Sequence, residues 1–503
     1  MKQAAYSVLV ILLVGIGCSR ELPPSQGQSI EIGTQTQLVV DNFAIEVREA
    51  VERWVNALIK HPANPILRPD RPWEGQSTMP STVLYDGSER LFKMWYGTTE
   101  QRWNPHQKRS RWAYATSQDG IAWEKPELGL VDFRGSRRNN LLPDAAGRVL
   151  MDFAEKDSSR RFKALRYGRA TSDGPEGICV AFSPDGLRWE PYPGNPLLTA
   201  GGFTLHWGIG DTLTLFGWDE KAGKYVSYMR PSILFRHIGR SESTDFIDWK
   251  IPNPVLVPDE EDPPGTQFYG MSVFRDREVY FGFLWVYHPN SLIIDVQLAY
   301  SRDGIGWRRT DRRHPILSYG LPYRFDSHVL IALEPLIRED EIWVYCAAEN
   351  KAHVLTKQDL RLGTHSLGDT AIPLDQQSWL KERRGYGGLA MVRRDGLVSL
   401  DSDAPEGVVT TKPFVCRGKQ LLLNADASRG RIRVELLDRM GVALPGFEAG
   451  RSDPLHGDSV SPLASWDGKS DLSSLEGRKI KLRLLMSHSK LFSFRFGKIE
   501  GAL

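Results

Sequence analysis

The chain has 503 residues, too many for one ordinary core, and its 64 Lys plus Arg against 62 Asp plus Glu leave a formal net charge of only +2. Near neutrality, without any long run of like charge, excludes the electrostatic footprint of a nucleic-acid partner. Hydrophobic residues at 41%, with 20 Phe, 16 Tyr and 15 Trp beside 46 Gly and 31 Pro, exclude a disordered chain and favour β structure rich in turns.

Lys2 precedes an apolar run from Val8 to Ile16, too short to span a bilayer and suited to the h-region of an export signal. Cys18, directly after Gly17, stands where a bacterial lipobox carries its acylated cysteine, although Gly15 replaces the large aliphatic residue usual three positions earlier. Residues 1–18 are therefore read as a signal peptide of lipoprotein type, and 19–36 as a tether rich in Pro, Gly, Ser and Gln. The expectation is an exported protein, in the outer membrane or periplasm or else secreted, touching a membrane only through lipid at Cys18. The stretch from Phe43 to Lys60 suits either a helix or extended chain.

Two short motifs then recur. NPIL at Asn64 is followed by NNLL at Asn139, NPLL at Asn195, NPVL at Asn253 and HPIL at His314. SQDGIAW at Ser117 returns as SPDGLRW at Ser183 and SRDGIGW at Ser301, with a degraded copy STDFIDW at Ser243 and a fifth position at Arg393-Arg394-Asp395-Gly396. Between them lie β-like runs joined by charged turns: STVLY and LFKMWYG, RVLMDF and RFKALRY, DTLTLFGW and KYVSYMR, YGMSVF and VYFGFLWVYH, HVLIALEPLI and EIWVYCAAE. A repeat of roughly 55 to 75 residues with three or four strands predicts an all-β protein with a five-bladed β-propeller over 37–407. In the recurring turn, Asp accepts backbone amides, Gly supplies a positive φ and Trp buries a large apolar area, so its repetition counts blades and its place is far from the axis.

Past Val408 short alternating strands, as in KQLLLNADASRGRIRVELLD and KIKLRLLMSHSKLFSFRFG, predict a β-sandwich accessory domain over 408–503. Cys179, Cys346 and Cys416 are widely spaced, lack metal-ligand partners and read as buried small side chains.

The NPxL openings, the SxDGxxW turns and runs such as FKMWYG resemble the five-bladed propeller enzymes of the invertase, levansucrase and arabinanase superfamily. QLVVDNFAIE, NPILRPDRPWEG, LAYSRDGIGWRR and NADASRGRIRVELLD are similar to exported proteins of planctomycete-type bacteria related to the invertase family's N-terminal domain. The resemblance implies an active site in the axial funnel, where innermost strands supply carboxylates: one protonates the leaving oxygen, the other attacks the anomeric carbon or activates water.

On the innermost strands the candidates are Asp211, opening DTLTLFGW, and Asp326 and Glu334, at the start of and within HVLIALEPLI. Glu334 interrupts an apolar run, as a general acid of raised pKa would. Glu74 near the funnel entrance, His206, Trp207, Gln267, Tyr269, His288 and His328 are candidate sugar contacts, aromatic faces stacking on rings while polar groups take hydroxyls. Arg166, Arg230 and Arg236 suit an acidic glycan, and Asp41 is a further carboxylate if the leading strand lies near the axis. The superfamily's hydrolases commonly open the first strand with an Asp in NDPNG or DP sequences; this chain has Ser77-Thr78-Met79. No P-loop, GxGxxG, HExxH or GxSxG motif occurs, and neither cofactor nor metal is expected. The expected function is an exported glycoside hydrolase acting on an extracellular polysaccharide or oligosaccharide. The alternatives are a non-catalytic glycan-binding surface lipoprotein and a phosphate-dependent glycosidase.

Overall fold

The computed structural model describes residues 29–100, 109–143, 146–171, 173–199, 212–231, 236–310, 312–321, 324–350 and 384–497. Among these the chain is all-β apart from two single-turn 3-10 helices, and no helix is long and apolar enough to cross a membrane.

Five antiparallel meanders follow one another. Their three inner strands are Thr78–Asp86, Leu91–Glu100 and Arg109–Ser117; then Arg148–Met151, Phe162–Arg169 and Glu176–Ser183; then Leu213–Asp219, Lys224–Met229 and Ile238–Ser243; then Gln267–Asp276, Val279–His288 and Ile293–Ser301; and last Val329–Ala332, Glu341–Glu349 and Gly385–Arg393. Middle strands such as VYFGFLWVYH are covered on both faces by their neighbours, which is why they read as continuous apolar runs.

Neighbouring meanders are tied to one another around an axis. Val149 N donates to Thr82 Oγ1 at 3.0 Å, Thr214 Oγ1 to the Met271 carbonyl at 2.6 Å, and Ile294 pairs in parallel with Val329. Gly385 N donates to the Gln76 carbonyl at 2.9 Å, joining the last meander to the first. The outer strand of the fifth meander is Ile59–Lys60, from the start of the chain. Asn64 completes this closure, its side chain bracketing Leu389 with bonds of 2.7 and 2.8 Å to the backbone carbonyl and amide. Asn195 does the same to Val180 at 2.8 and 2.9 Å, so NPxL caps a third strand, and NPIL belongs to the last meander.

The recurring turn fastens neighbouring meanders. Asp119 Oδ1 accepts the Ile121 and Ala122 amides at 2.8 Å, and Asp185, Asp245 and Asp303 repeat the pattern. The carbonyl of the turn glycine then takes a donor from the adjacent meander. Tyr345 OH reaches Gly120 at 2.9 Å, Trp95 Nε1 reaches Gly186 at 2.7 Å and Tyr228 OH reaches Gly304 at 2.8 Å. A Cβ at Gly120 would lie 2.5 Å from that Tyr345 oxygen, so glycine is required by contact as well as by its φ of +77°. The degraded copy carries Phe246 at φ 67°, whose buried ring fills its own seat between Phe182 and Trp249.

A second repeat closes the first strands. Asp86, Asp152, Asp219 and Asp276 end or follow four of them and are buried on cations: Lys93 at 2.8 Å, Lys163 at 3.0 Å, Arg240 at 3.4 Å and Arg394 at 2.6 Å.

The remaining strands form the β-sandwich. Gln420–Asp438 runs against Lys479–Ser487 and Ser489–Gly497 as one long ribbon bent near Arg429 and His488, and its halves cover a common core of Leu421, Leu423, Val434, Leu436, Leu482 and Phe494. The expected boundaries shift here. Gln37–Leu38, Ile45–Glu49 and Glu52–Val55 pair with Ser489–Gly497, Gly407–Thr411 and Val398–Ser402, so the leading strands lie in the sandwich rather than the propeller. Their apolar side chains Val39, Ile45 and Val51 join its core, and no helix forms. Asp41 is correspondingly held by Arg302 at 2.7 and 3.0 Å, on the turn of the fourth meander rather than near the axis. The three cysteines are buried and unbridged.

Candidate functional site

The first strand of the fifth meander is broken. Val329–Ala332 pairs with Cys346–Glu349, and pairing resumes at Leu336–Ile337 against Ile342 and Trp343. Pro335, which has no N–H to give the ladder, lies in the break. Glu334 beside it is released from the sheet and meets Arg148, with Oε2 and Nη1 4.0 Å apart. The fifth and second meanders are separated by the first, so the pair reaches across the channel.

Arg148 opens its strand after Gly147, where a Cβ would stand 2.5 Å from the Leu165 carbonyl oxygen. Its guanidinium donates to the Ser81 carbonyl and lies 5.7 Å from the ring centre of Trp285, which is itself bonded to the Ala332 carbonyl at 3.0 Å. The side chains of Arg148 and Glu334 are 14% and 26% exposed, buried enough to feel each other strongly yet open to a cavity of about 220 Å³. That cavity is lined by Thr82, Leu84, Leu215 and Phe216 as well as by the pair.

Burial pushes the Glu334 carboxyl up, against the opposing pull of Arg148, its own backbone amide and Ser272. Burial likewise pushes Arg148 down, against Glu334. Glu334 Oε1 is buried and has no hydrogen-bond partner of good geometry among the described residues. A carboxyl that holds its proton above the ordinary range can donate that proton to a leaving oxygen.

A second cluster stands at the starts of the first strands of the third and fourth meanders. The guanidinium carbons of Arg230 and Arg236 lie 5.1 and 5.6 Å from the Tyr269 ring centre, and Arg236 is 5.7 Å from that of Tyr287. Arg236 also donates to Gln267 Oε1 at 2.9 Å. Nearby in the fourth meander, His288 Nε2 meets Asp295 Oδ2 at 2.9 Å, while His328 at the start of the fifth holds Ser327 Oγ through Nδ1 at 2.8 Å.

The expected residues thus separate. Gln267 and Tyr269 come together with the two arginines, while Arg166 is spent on the Arg169 carbonyl at 3.0 Å. Asp326 is buried against Lys60 of the closing strand. Glu74 is fully buried and saturated: the Asp70 and Arg71 amides, Tyr96 OH and Lys125 all reach it within 3.0 Å, so it braces the first meander. Asp211, His206, Trp207 and Cys18 lie outside the described residues. Arg148 escapes a reading of the sequence, although RVLM carries the signal that marks Glu334, a charge on an otherwise apolar first strand. No group of three or more His, Cys, Asp or Glu able to hold a metal occurs among the described residues.

No family model and no curated protein matches the chain. Among solved structures it is similar to a protein titled glycoside hydrolase, at 16% identity and a TM-score of 0.43, over 68% of this chain and 92% of that one. It is also similar to a glycosyl hydrolase from Bacteroides ovatus, at 14% identity and 0.37, over 58% and 91%. A third is the GH32 β-fructofuranosidase BmSUC1 of Bombyx mori, at 13% and 0.39, over 86% and 94%.

Proposed function

We propose that the chain is an exported glycoside hydrolase, lipid-anchored at Cys18, that cleaves an extracellular polysaccharide or oligosaccharide in its axial channel. The observation that carries this reading is Glu334: an acidic side chain released from a broken innermost strand, raised by burial and opening on a cavity. It serves as the proton donor, and Asp211, just ahead of the third meander's first strand, is the expected second carboxylate. Tyr269, Gln267 and the neighbouring arginines supply ring stacking and hydroxyl contacts at the channel mouth.

The test is release of reducing ends from a set of plant and bacterial polysaccharides by the wild type, Glu334→Gln and Asp211→Asn. Each variant is expected to lose roughly 10²–10⁴ of turnover while keeping its thermal transition. Full activity in both overturns the assignment. Labelling with a radioactive fatty acid, lost in Cys18→Ser, tests the anchor.

One observation favours a glycan-binding protein without turnover. Thr78, where the superfamily's hydrolases carry a carboxylate, is buried and donates its hydroxyl to the Gly385 carbonyl at 3.4 Å. Binding of a polysaccharide by the wild type without any release of ends supports that reading. Release that occurs only with inorganic phosphate supports a phosphate-dependent enzyme, for which Arg148 is the channel cation.

A further inference from the structure

The first strands end in a repeated relation between a buried Asp and an exposed neighbour. Tyr85 precedes Asp86, Trp218 precedes Asp219, Arg275 precedes Asp276, and Phe153 follows Asp152. Neighbours on a strand point to opposite faces, so packing the Asp on its cation leaves the adjacent side chain outside. Tyr85, Phe153 and Trp218 are accordingly 47%, 68% and 44% exposed.

These rings stand at the end of the channel opposite the mouth cluster. Tyr85 and Phe153 line the same cavity as Arg148 and Glu334, and a second recess of about 380 Å³ adjoins it through Phe153 and Phe216. That recess is completed by Trp218, Glu220 and Arg275. The rings are braced from their own meanders: Tyr85 lies 4.9 Å from Phe92, Trp218 5.0 Å from Tyr225, and Arg161 5.6 Å from Phe153. The sandwich packs on the fourth and fifth meanders, Leu38, Val40 and Leu397 sharing one core with Phe274, Phe281 and Ile342.

We propose that this rim is a second carbohydrate site, which takes the sugar rings of a neutral glycan chain at the far end of the channel. A sugar presents an apolar C–H face and an edge of hydroxyls, matching held aromatic rings beside a carboxylate and a guanidinium. A protein partner would need a contiguous apolar area on the order of 800 Å² per side, whereas these rings are separate and surround a recess. The site rests on the proposed carbohydrate partner but not on turnover at Glu334.

The test is calorimetric titration of the whole chain with cellohexaose, xylohexaose, mannohexaose and arabinohexaose. At least one is expected to bind the wild type, with binding weakened tenfold or more in Trp218→Ala and largely restored in Trp218→Phe. Phe43→Ala, an exposed aromatic on the leading segment, should bind as the wild type does. Failure of all four sugars to bind at millimolar concentration, or undiminished binding by Trp218→Ala, overturns the site. Release of reducing ends by Glu334→Gln is read separately, so failure of the catalytic reading leaves this result standing and the reverse.

Discussion

The Glu334 carboxylate faces the Arg148 guanidinium at 4.0 Å across the channel, between the fifth and second meanders. Burial raises the carboxyl and Arg148 restrains that rise, so the two residues set together the pH at which a proton can be donated. A donor acts while protonated, and its activity falls as pH rises through its raised pKa. Arg148→Met removes the restraint and should move the alkaline limb of the pH–rate profile to higher pH. An unmoved limb, or one displaced towards acid, would show that Glu334 is not the titrating donor.

Asp86 gives the opposite sign. Burial alone would raise it, but Lys93, Ser88 and the Glu89 amide outweigh burial and bring the carboxyl down to about 2. Because the folded value lies below the unfolded one, its stabilisation is complete above the ordinary carboxylate range and is lost as pH falls from about 4 towards 2. Asp86→Asn leaves Lys93 with only the exposed Glu89 as an anion, also at 2.8 Å, and should cost about 1.5–3 kcal/mol at pH 7. Thermal melts from pH 7 to pH 2 check this: the gap between wild type and variant should narrow as the solution is acidified.

The repeat is legible in the chain because the meanders reuse local devices: an Asn that brackets the third strand of the second and the fifth, and an Asp turn after the third strand of the first four. Ring closure is not, since Asn64 meets Leu389 across 325 positions and no local pattern announces that contact. The same limit explains Asp326. A lone acid before an innermost strand reads as catalytic until Lys60, 266 positions away, is seen beside it. Glu334 is legible because a charge inside an apolar strand demands a reason, whereas Arg148 stands at the end of a strand of only four residues, where a charge is ordinary. The recurring Asp86, Asp152, Asp219 and Asp276 are visible in sequence but hidden by their likeness to ordinary turn residues.

Gly120 joins the first meander to the fifth, and the joint can be tested without touching the channel. Gly120→Ala places a Cβ 2.5 Å from Tyr345 Oη and 2.9 Å from Trp343, at a φ that L residues rarely adopt. A loss of about 2 kcal/mol or more is expected. Gly87 is the control, because a Cβ there meets nothing within 4 Å and its φ is not positive. Gly87→Ala should be neutral or stabilising by about 0.4–1 kcal/mol. Denaturant unfolding of the two variants distinguishes a joint from a generic intolerance of alanine in turns.

The Lys60 and Asp326 pair separates structure from chemistry. Asp326 is buried, and Lys60 comes from the strand that closes the ring. Lys60→Met alone strands the carboxylate and should cost about 3–5 kcal/mol. Replacing both, as Lys60→Met with Asp326→Leu, removes the stranded charge and should recover most of that loss, giving a clear coupling in a double-mutant cycle. If Asp326 is a brace, the double variant also keeps the release of reducing ends within a few fold of wild type. If the fold recovers but release falls by orders of magnitude, Asp326 belongs with the catalytic carboxylates, and its bond to Lys60 is then a means of positioning it.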